Sequence, residues 1–320
     1  MAATTDFVAA QAANRRKTTL LLIVLTILAA TTGYVVGWLL EGEATDQVPR
    51  LSQVGLIGAL LMAAASIVWS LVSLAFGDSM VLDLAEAKPI EKQDAPQLYN
   101  VVEEMSLAAG VPMPRVMVLE TETLNALATG TTPERGTIAV TRGLLEKMNR
   151  DELQGVVAHE MAHLANLDTR YMVVVGVTVG LIAFVCDLIL RGMSWGSSSG
   201  GSSSSSDRKG SSGVGLLVIL LVVVAILAPI AAYAVQMAVS RQREYLADAT
   251  SVQFTRNPNG LISALTKLAE AAGPFPGASR ATQHLFIVNP VKPMTMKTPA
   301  FLATHPDIAD RIARLRNLGG

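Results

Sequence analysis

Long apolar stretches alternate with polar segments along the chain. Four stretches reach the length of about 20 predominantly apolar residues that a helix needs to cross a bilayer. They are Leu20–Leu40, Gln53–Phe76, Tyr171–Leu190 and Val214–Val239. The first exceeds the roughly 7–15 apolar residues usual in a signal peptide, which favours an uncleaved anchor over a cleaved leader. The pattern therefore predicts four transmembrane helices.

The segment 77–170 mixes helical and strand patterns. Apolar positions recur at helical spacing over residues 94–109, and Gly110 ends that predicted helix. Short β-type runs predict strands at 115–120, 124–130 and 136–143. A further helix is predicted over 151–167, with Asp151 as its N-cap and a capping-box partner three residues later.

The remaining segments complete the predicted domain organisation. Residues 1–19 form a polar N-terminal tail, and residues 191–213 contain the tract SWGSSSGGSSSSSDRKGSSG, which is typical of a flexible loop. Residues 240–320 read as mostly helical. We expect 77–170 and 240–320 to fold together as one α+β domain, joined through the hairpin of the third and fourth apolar stretches.

Composition supports a membrane protein. Of 320 residues, 51% are hydrophobic and 16% are charged, whereas soluble domains usually carry about 25% charged residues. The net charge of −1 gives no basic excess for binding nucleic acid. The single cysteine, Cys186, excludes an intrachain disulfide and a multi-cysteine zinc site.

The flanking Lys and Arg residues predict an orientation in the membrane. The basic run 15–17 precedes the first stretch, and further Lys and Arg residues lie within 77–170. The loop between the first two stretches has one Arg among several acids, although three basic residues in 191–213 oppose the assignment. Because basic residues collect on the cytoplasmic side, we expect both termini and 77–170 in the cytoplasm.

The stretch VVAHEMAHLANLDTRYMVVVGV contains the pattern HExxH at residues 159–163. Residues four apart share one face of a helix, so the imidazoles of His159 and His163 can bind one ion. Glu160 can then act as general base toward a water that a zinc ion activates. The pattern predicts a zinc-dependent hydrolase.

The third zinc ligand is open from the residues alone. A catalytic zinc normally takes three protein ligands and keeps one position for water. No third histidine follows at the extended spacing, which leaves His284, His305 or a carboxylate. Glu244 and Asp248 lie four residues apart on a predicted helix, but neighbouring arginines also fit a solvated, salt-bridged helix there.

Helix arithmetic places the predicted site near the membrane surface. If the HExxH helix continues without a break, Tyr171 lies about 12 Å beyond His163 at 1.5 Å per residue. Glu244 lies about 8 Å beyond Val239 by the same rise. Both halves of the site would then stand at similar heights above the bilayer.

Four motifs in this order resemble the HtpX-type membrane zinc endopeptidases, relatives of the CAAX prenyl proteases. They are NALATG, HExxH with NLD just after it, REYLADA, and a terminal HP…RI..L. The resemblance implies a gluzincin-like α+β domain that holds one zinc ion per chain through His159, His163 and Glu244. It also implies that Glu160 is the general base.

The same resemblance implies further roles. Asp248 would accept a hydrogen bond from a ligand imidazole, and His305 would be a candidate donor to the oxyanion. Asn125 would lie on an edge strand that pairs with an extended substrate. The implied setting is a bacterial inner (plasma) membrane, in which the enzyme degrades misfolded or damaged membrane proteins and unfolded polypeptides as stress-linked quality control.

Two alternatives compete with this interpretation. A narrow-specificity processing protease of the prenyl type would need a large enclosed chamber, for which four spans offer little material. A non-enzymatic metal-binding or metal-transporting membrane protein would need ionisable residues inside the spans. Only Asp187 meets that description, near the end of the third stretch and four residues before Arg191.

Cysteine labelling tests the predicted orientation. With Cys186 replaced, a cysteine at Ser204 should react with an impermeant thiol reagent added to intact cells, and a cysteine at Ala249 should react only after lysis. The reverse pattern would show that the basic residues of 191–213 outweigh the other flanks and that the site faces away from the cytoplasm.

Overall fold

The computed structural model describes residues 7–45, 51–182, 241–271, 285–288 and 306–318. The chain divides into two compact units, each built from separate pieces of sequence. The first comprises Met1–Thr18, Ser73–Val177 and Val235–Gly320, and the second comprises Thr19–Val72 and Thr178–Ala234.

Two long apolar helices begin the described chain. Helix α1 spans Phe7–Thr45 and helix α2 spans Gln53–Leu84, and within the described residues both are long and apolar enough to cross a membrane. They contain the first two predicted stretches. Helices Arg150–Ala165 and Asp168–Ile182 form a bent pair that would give a third span if counted as one. The predicted fourth stretch lies outside the described residues.

Within the second unit, α1 and α2 approach each other at glycines. A Cβ added to Gly33 would lie 2.3 Å from the carbonyl oxygen of Gly58, and one added to Gly37 would lie 2.5 Å from that of Val54. Small residues permit such close helix contact in membranes. The pattern GxxxG at 33–37 therefore serves packing within the chain.

A four-stranded mixed sheet lies in the first unit. Its strands are β1 (Lys88–Pro89), β2 (Arg115–Leu119), β3 (Ala126–Thr129) and β4 (Thr137–Thr141). The order is β1-β2-β4-β3, with β2 and β4 parallel and the other pairs antiparallel. The three strands predicted from sequence are confirmed as β2, β3 and β4, and β3 lies at an edge of the sheet.

Helices cover the sheet and complete the first unit. They are α3 (Pro96–Ala109), α4 (Arg142–Lys147), α5 (Arg150–Ala165), α6 (Asp168–Ile182), α7 (Arg241–Thr255), α8 (Pro258–Glu270) and α9 (Ile308–Leu318). The main apolar cluster joins one face of the sheet to α3, α5, α8 and α9. Because successive strand residues point to opposite faces, Ala126 and Ala128 enter this cluster while Leu127 enters a second one with the end of α2.

The N-cap of helix α5, which carries HExxH, lies two residues before the one predicted from sequence. Its N-cap is Asn149, whose side chain accepts a hydrogen bond from the backbone of Glu152, while the Glu152 carboxylate accepts one from the backbone of Asn149. The predicted cap, Asp151, instead lies in the first turn. Asparagine caps as well as aspartate does, and only Asn149 has a glutamate three residues later.

The same helix does not run on toward Tyr171, so the expectation of a continuous helix was wrong. It ends at Ala165, Leu167 adopts a positive φ of 56°, and α6 begins at Asp168 with its axis bent by 82°. A left-handed residue cannot continue a right-handed helix. The estimate of about 12 Å from His163 to Tyr171 therefore fails, and the chain turns instead.

Helix α5 packs tightly on α8 through a glycine and an ion pair. A Cβ on Gly155 would lie 2.6 Å from the backbone nitrogen of Leu261, so the two helix backbones nearly touch there. Beside this contact, the buried carboxylate of Glu152 bonds Lys267 Nζ at 2.7 Å and Ser263 Oγ at 2.6 Å. These contacts fix the position of the HExxH helix.

We expect Gly155→Ala to destabilise the first unit by about 1–2 kcal/mol net, because overpacking against backbone outweighs the gain in helix propensity. Thermal unfolding of the detergent-purified protein would measure it. Thr266→Ala on the exposed face of α8 is the control and should change stability by less than about 0.5 kcal/mol. Equal midpoints for the two variants would contradict the close approach.

Candidate metal centre

Three side chains from two helices converge in the first unit. His159 and His163 lie four residues apart on α5, and Glu244 lies near the start of α7. The histidine Nε2 atoms are 3.3 Å apart. Glu244 carboxylate oxygens lie 3.8 Å from Nε2 of His159 and 3.6 Å from Nε2 of His163. All three residues are buried.

These distances fit one ion. Nitrogen and oxygen ligands about 2.0–2.2 Å from a tetrahedral zinc ion are about 3.3–3.5 Å apart, close to the three separations here. The ligand atoms all lie within 4.8 Å of one another, and this is the group that could hold a metal ion among the described residues. Sequence alone left the third ligand open, and the structure brings Glu244 to the two histidines.

His159 is held by a carboxylate and a guanidinium. Its Nδ1 lies 3.0 Å from Oδ1 of Asp248, one turn beyond Glu244 on α7. Arg311 of α9 donates to both oxygens of that carboxylate, from Nε at 2.9 Å and from Nη2 at 2.7 Å. Such a carboxylate fixes the ring orientation and leaves Nε2 free for a metal. The predicted contact of Asp248 with a ligand imidazole is present.

His163 is held by a different carboxylate. Its Nδ1 lies 3.0 Å from Oδ2 of Asp168, the residue that begins α6. Asn14 of α1 donates from Nδ2 to the other oxygen of Asp168 at 2.7 Å and to the carbonyl oxygen of Asn166 at 2.9 Å. The break at Leu167 is what allows Asp168 to turn back toward the ring.

Electrostatics at the cluster favour a cation. Burial, together with the charge of Arg311, lowers the pKa of His159 to about 4. Burial acts in the same direction on His163, but its bond to Asp168 and the charge of Glu244 raise the pKa of His163 to about 9. The carboxylates that stabilise a proton on His163 would also stabilise a bound metal ion.

Glu160 lies beside the three ligand residues. It lines the same cavity, and burial, reinforced by the charge of Glu244, raises the pKa of its carboxyl group to about 7. The cavity has a volume of about 10 Å³, which is room for about one water molecule. Its lining comprises His159, Glu160, His163, Met172, Glu244, Leu285, Phe286 and Ile287.

The other predicted site residues either lie apart from the three clustered side chains or fall outside the described residues. Asn125 is buried immediately before edge strand β3, and its side chain contacts the backbone of Val288 rather than the three ligand residues. His305, the predicted oxyanion donor, and His284, the alternative ligand, lie outside the described residues. Arg311, which the resemblance also implies as a support of His305, contacts Asp248 and His159.

Sequence reasoning missed the roles of Asp168 and Asn14. Asp168 belongs to the quoted NLD that follows HExxH, but a helix continued through it would turn its side chain away from His163. Asn14 precedes it by 154 positions, and a single asparagine in a polar tail carries no local signal. A sign that α5 ends at Ala165 would have been needed to find the pair.

The chain matches known proteins over most of its length. Residues 92–318 match the model of peptidase family M48. A protein named Protease HtpX homolog from Listeria innocua is 45% identical over 264 residues, 82% of this chain and 86% of that protein. The Caldanaerobacter subterraneus homolog is 40% identical over 82% of this chain and 86% of its own length. The Streptococcus agalactiae homolog is 39% identical over 91% of this chain and 93% of its own length. The crystal structure of S. mikatae Ste24p gives a TM-score of 0.49 at 19% identity, covering 93% of this chain and 67% of that one.

We expect Glu244→Ala to abolish stoichiometric zinc binding by the purified protein, because two imidazoles remain where three ligands stood. Asp168→Ala should lower zinc affinity about 10–100-fold by releasing the His163 ring, and Asp248→Ala should weaken it through His159. Metal analysis after dialysis against graded chelator would measure both effects.

His284→Ala serves as the control for these variants and should keep a zinc content near that of the unmodified chain. If Glu244→Ala retained stoichiometric zinc while His284→Ala or His305→Ala lost it, the cluster of His159, His163 and Glu244 would not be the metal site.

Proposed function

The chain belongs to peptidase family M48 and is a membrane metalloprotease, and we propose that its metal is a single zinc ion held by His159, His163 and Glu244. The convergence of these three buried side chains is the observation that carries the proposal. Two imidazoles and one carboxylate are a ligand set typical of catalytic zinc, which keeps a further position open for water.

A zinc ion held by these residues would supply Lewis-acid polarisation of a scissile carbonyl and would activate a water molecule. Glu160 would take the proton of the attacking water as its oxygen bonds to the carbonyl carbon. The same carboxyl group then protonates the leaving amine nitrogen as the C–N bond breaks. Its burial beside the ligands supports this role.

Asp248 and Asp168 are positioning residues in this proposal. Each accepts a hydrogen bond from Nδ1 of one ligand imidazole, so Nε2 of both rings is directed at the metal position. Arg311 neutralises Asp248 and lies 3.7 Å from Glu244, which weakens the repulsion between these two buried carboxylates. His305 remains a proposed donor to the oxyanion.

We assign substrate recognition to the edge of β3 and to Asn125. An edge strand offers unpaired backbone groups that an extended peptide can pair with irrespective of its side chains. The position of β3 at the end of the strand order supports this assignment. Recognition of backbone suits an enzyme that removes misfolded or damaged proteins of varied sequence.

Proteolytic quality control of membrane proteins fits the HtpX relatives, and neither narrow prenyl-type processing nor non-enzymatic metal binding is favoured by them. We further propose four transmembrane helices, a gluzincin-like protease domain built from 77–170 and 240–320, and location in a bacterial inner membrane with the site facing the cytoplasm. The two candidate spans and the basic flanks support this topology.

Glu160→Gln tests the catalytic assignment. The amide keeps the shape of the side chain but cannot accept a proton, so we expect stoichiometric zinc and a fall in cleavage of about 10²–10⁴-fold. An unfolded model protein in detergent is a suitable substrate. The exposed Glu146 of α4 provides the control, since Glu146→Gln should cleave normally. Full activity of purified Glu160→Gln, free of contaminating protease, would rule out its role.

A further inference from the structure

A short segment of the chain itself lies along the edge of β3. Residues 285–288 form an antiparallel bridge in which Phe286 faces Leu127, and the backbone N–H of Ile287 donates to the carbonyl oxygen of Ala126 at 3.0 Å. Phe286 packs into the second apolar cluster and Ile287 into the main one. The bridge and this hydrogen bond place the segment beside β3 as an antiparallel backbone partner.

Asn125 completes the pairing. Its Nδ2 donates to the carbonyl oxygen of Val288 at 2.9 Å, and its Oδ1 accepts from the backbone N–H of the same residue at 3.3 Å. One amide side chain thus satisfies both backbone polar groups of Val288. This contact recognises peptide backbone and is independent of the valine side chain.

The segment also lines the metal centre. Leu285, Phe286 and Ile287 border the cavity that His159, Glu160, His163 and Glu244 share. All four residues of the segment are buried. A peptide paired with β3 in place of the segment would thus border the same cavity.

We propose that residues 285–288 are an internal occupant of the peptide-binding edge, which a substrate peptide must displace to reach the metal. This rests on the proposed function, in which β3 and Asn125 bind substrate backbone. One strand edge pairs with one partner at a time, so segment and substrate compete. Because the segment fills its positions with Leu, Phe, Ile and Val, the partner that fits is an extended peptide with large apolar side chains.

Competition has a kinetic consequence. If a fraction f of molecules has a free edge, the apparent dissociation constant of a peptide is its intrinsic value divided by f. Weakening the segment therefore lowers the apparent KM, whereas locking it in place removes activity. A permanent fifth strand would give neither effect, because substrate would then bind elsewhere.

A reversible tether tests the proposal directly. The backbone bond of Ile287 to Ala126 places Leu127 and Phe286 in a non-hydrogen-bonded pair, whose Cα atoms are typically about 4.5 Å apart, within the range a disulfide spans. In a Cys186→Ser background, Leu127→Cys with Phe286→Cys should lose cleavage of an unfolded apolar polypeptide by at least about tenfold on oxidation. Reductant should restore it, with zinc content unchanged in both states.

The controls distinguish a failure of the proposed function from a failure of the proposal that substrate displaces the segment. Cleavage by the Cys186→Ser parent tests the proposed function alone, so an inactive parent would refute that function. An active parent whose oxidised double variant cleaves as fast as its reduced form would overturn the displacement of the segment and leave the proposed function intact.

A pair of substitutions at Ile287 gives a second test that needs no disulfide. Ile287→Ala removes the side chain but keeps the N–H that bonds Ala126, whereas Ile287→Pro removes that donor as well. The proline variant should show a KM about 2–10-fold lower than the alanine variant, the equilibrium effect of one hydrogen bond, at equal zinc content. An equal or higher KM in the proline variant would overturn the proposal.

Discussion

The buried charge between α5 and α7 is the constraint on which this site depends. Four buried carboxylates surround two imidazoles there, and they belong to Glu160, Asp168, Glu244 and Asp248. Arg311 contributes one buried positive charge, bound to Asp248 through two hydrogen bonds. Burying unbalanced charge is costly, and a divalent cation at the ligand atoms reduces the remaining excess. Metal binding and stability of the first unit should therefore be coupled, as in other metal sites whose ligands come from separate elements.

The two ligand imidazoles are supported from opposite ends of the sequence. His159 is oriented by Asp248 and, behind it, Arg311 of α9. His163 is oriented by Asp168 and, behind it, Asn14 of α1. A displacement of any of these distant elements would change the orientation of one imidazole ring and hence the geometry of the metal site. The two chains of contacts explain how a site on one helix can depend on residues far from it in sequence.

Much of this arrangement could be predicted from sequence, and the misses have definite causes. Short β-type runs bounded by turn residues located β2, β3 and β4, and a capping pattern located α5, although β3, β4 and most of α5 are buried on both faces. The spacing of HExxH located two residues of the candidate metal cluster, since residues four apart share a helix face. The third residue, Glu244, was identified through resemblance, because no local rule connects it to a helix so much earlier in the sequence.

The remaining features depend on tertiary context. Leu167 has no side-chain property that predicts a positive φ, so the turn that brings Asp168 to His163 could not be foreseen. The pairing of Phe286 with Leu127 joins residues far apart in sequence, and the apolar run at 285–288 is too short to distinguish a strand from a loop. In each case the partner, rather than the segment itself, determines the conformation.

The position of Arg311 in the sequence has a consequence for biosynthesis. A chain emerges from the ribosome from its N-terminus, so α5 and α7 are made before α9. Until residue 311 is available, Asp248 lacks the guanidinium that neutralises it, and the ring of His159 lacks its second support. The metal centre is therefore completed only after α9 has been synthesised and its arginine has reached Asp248.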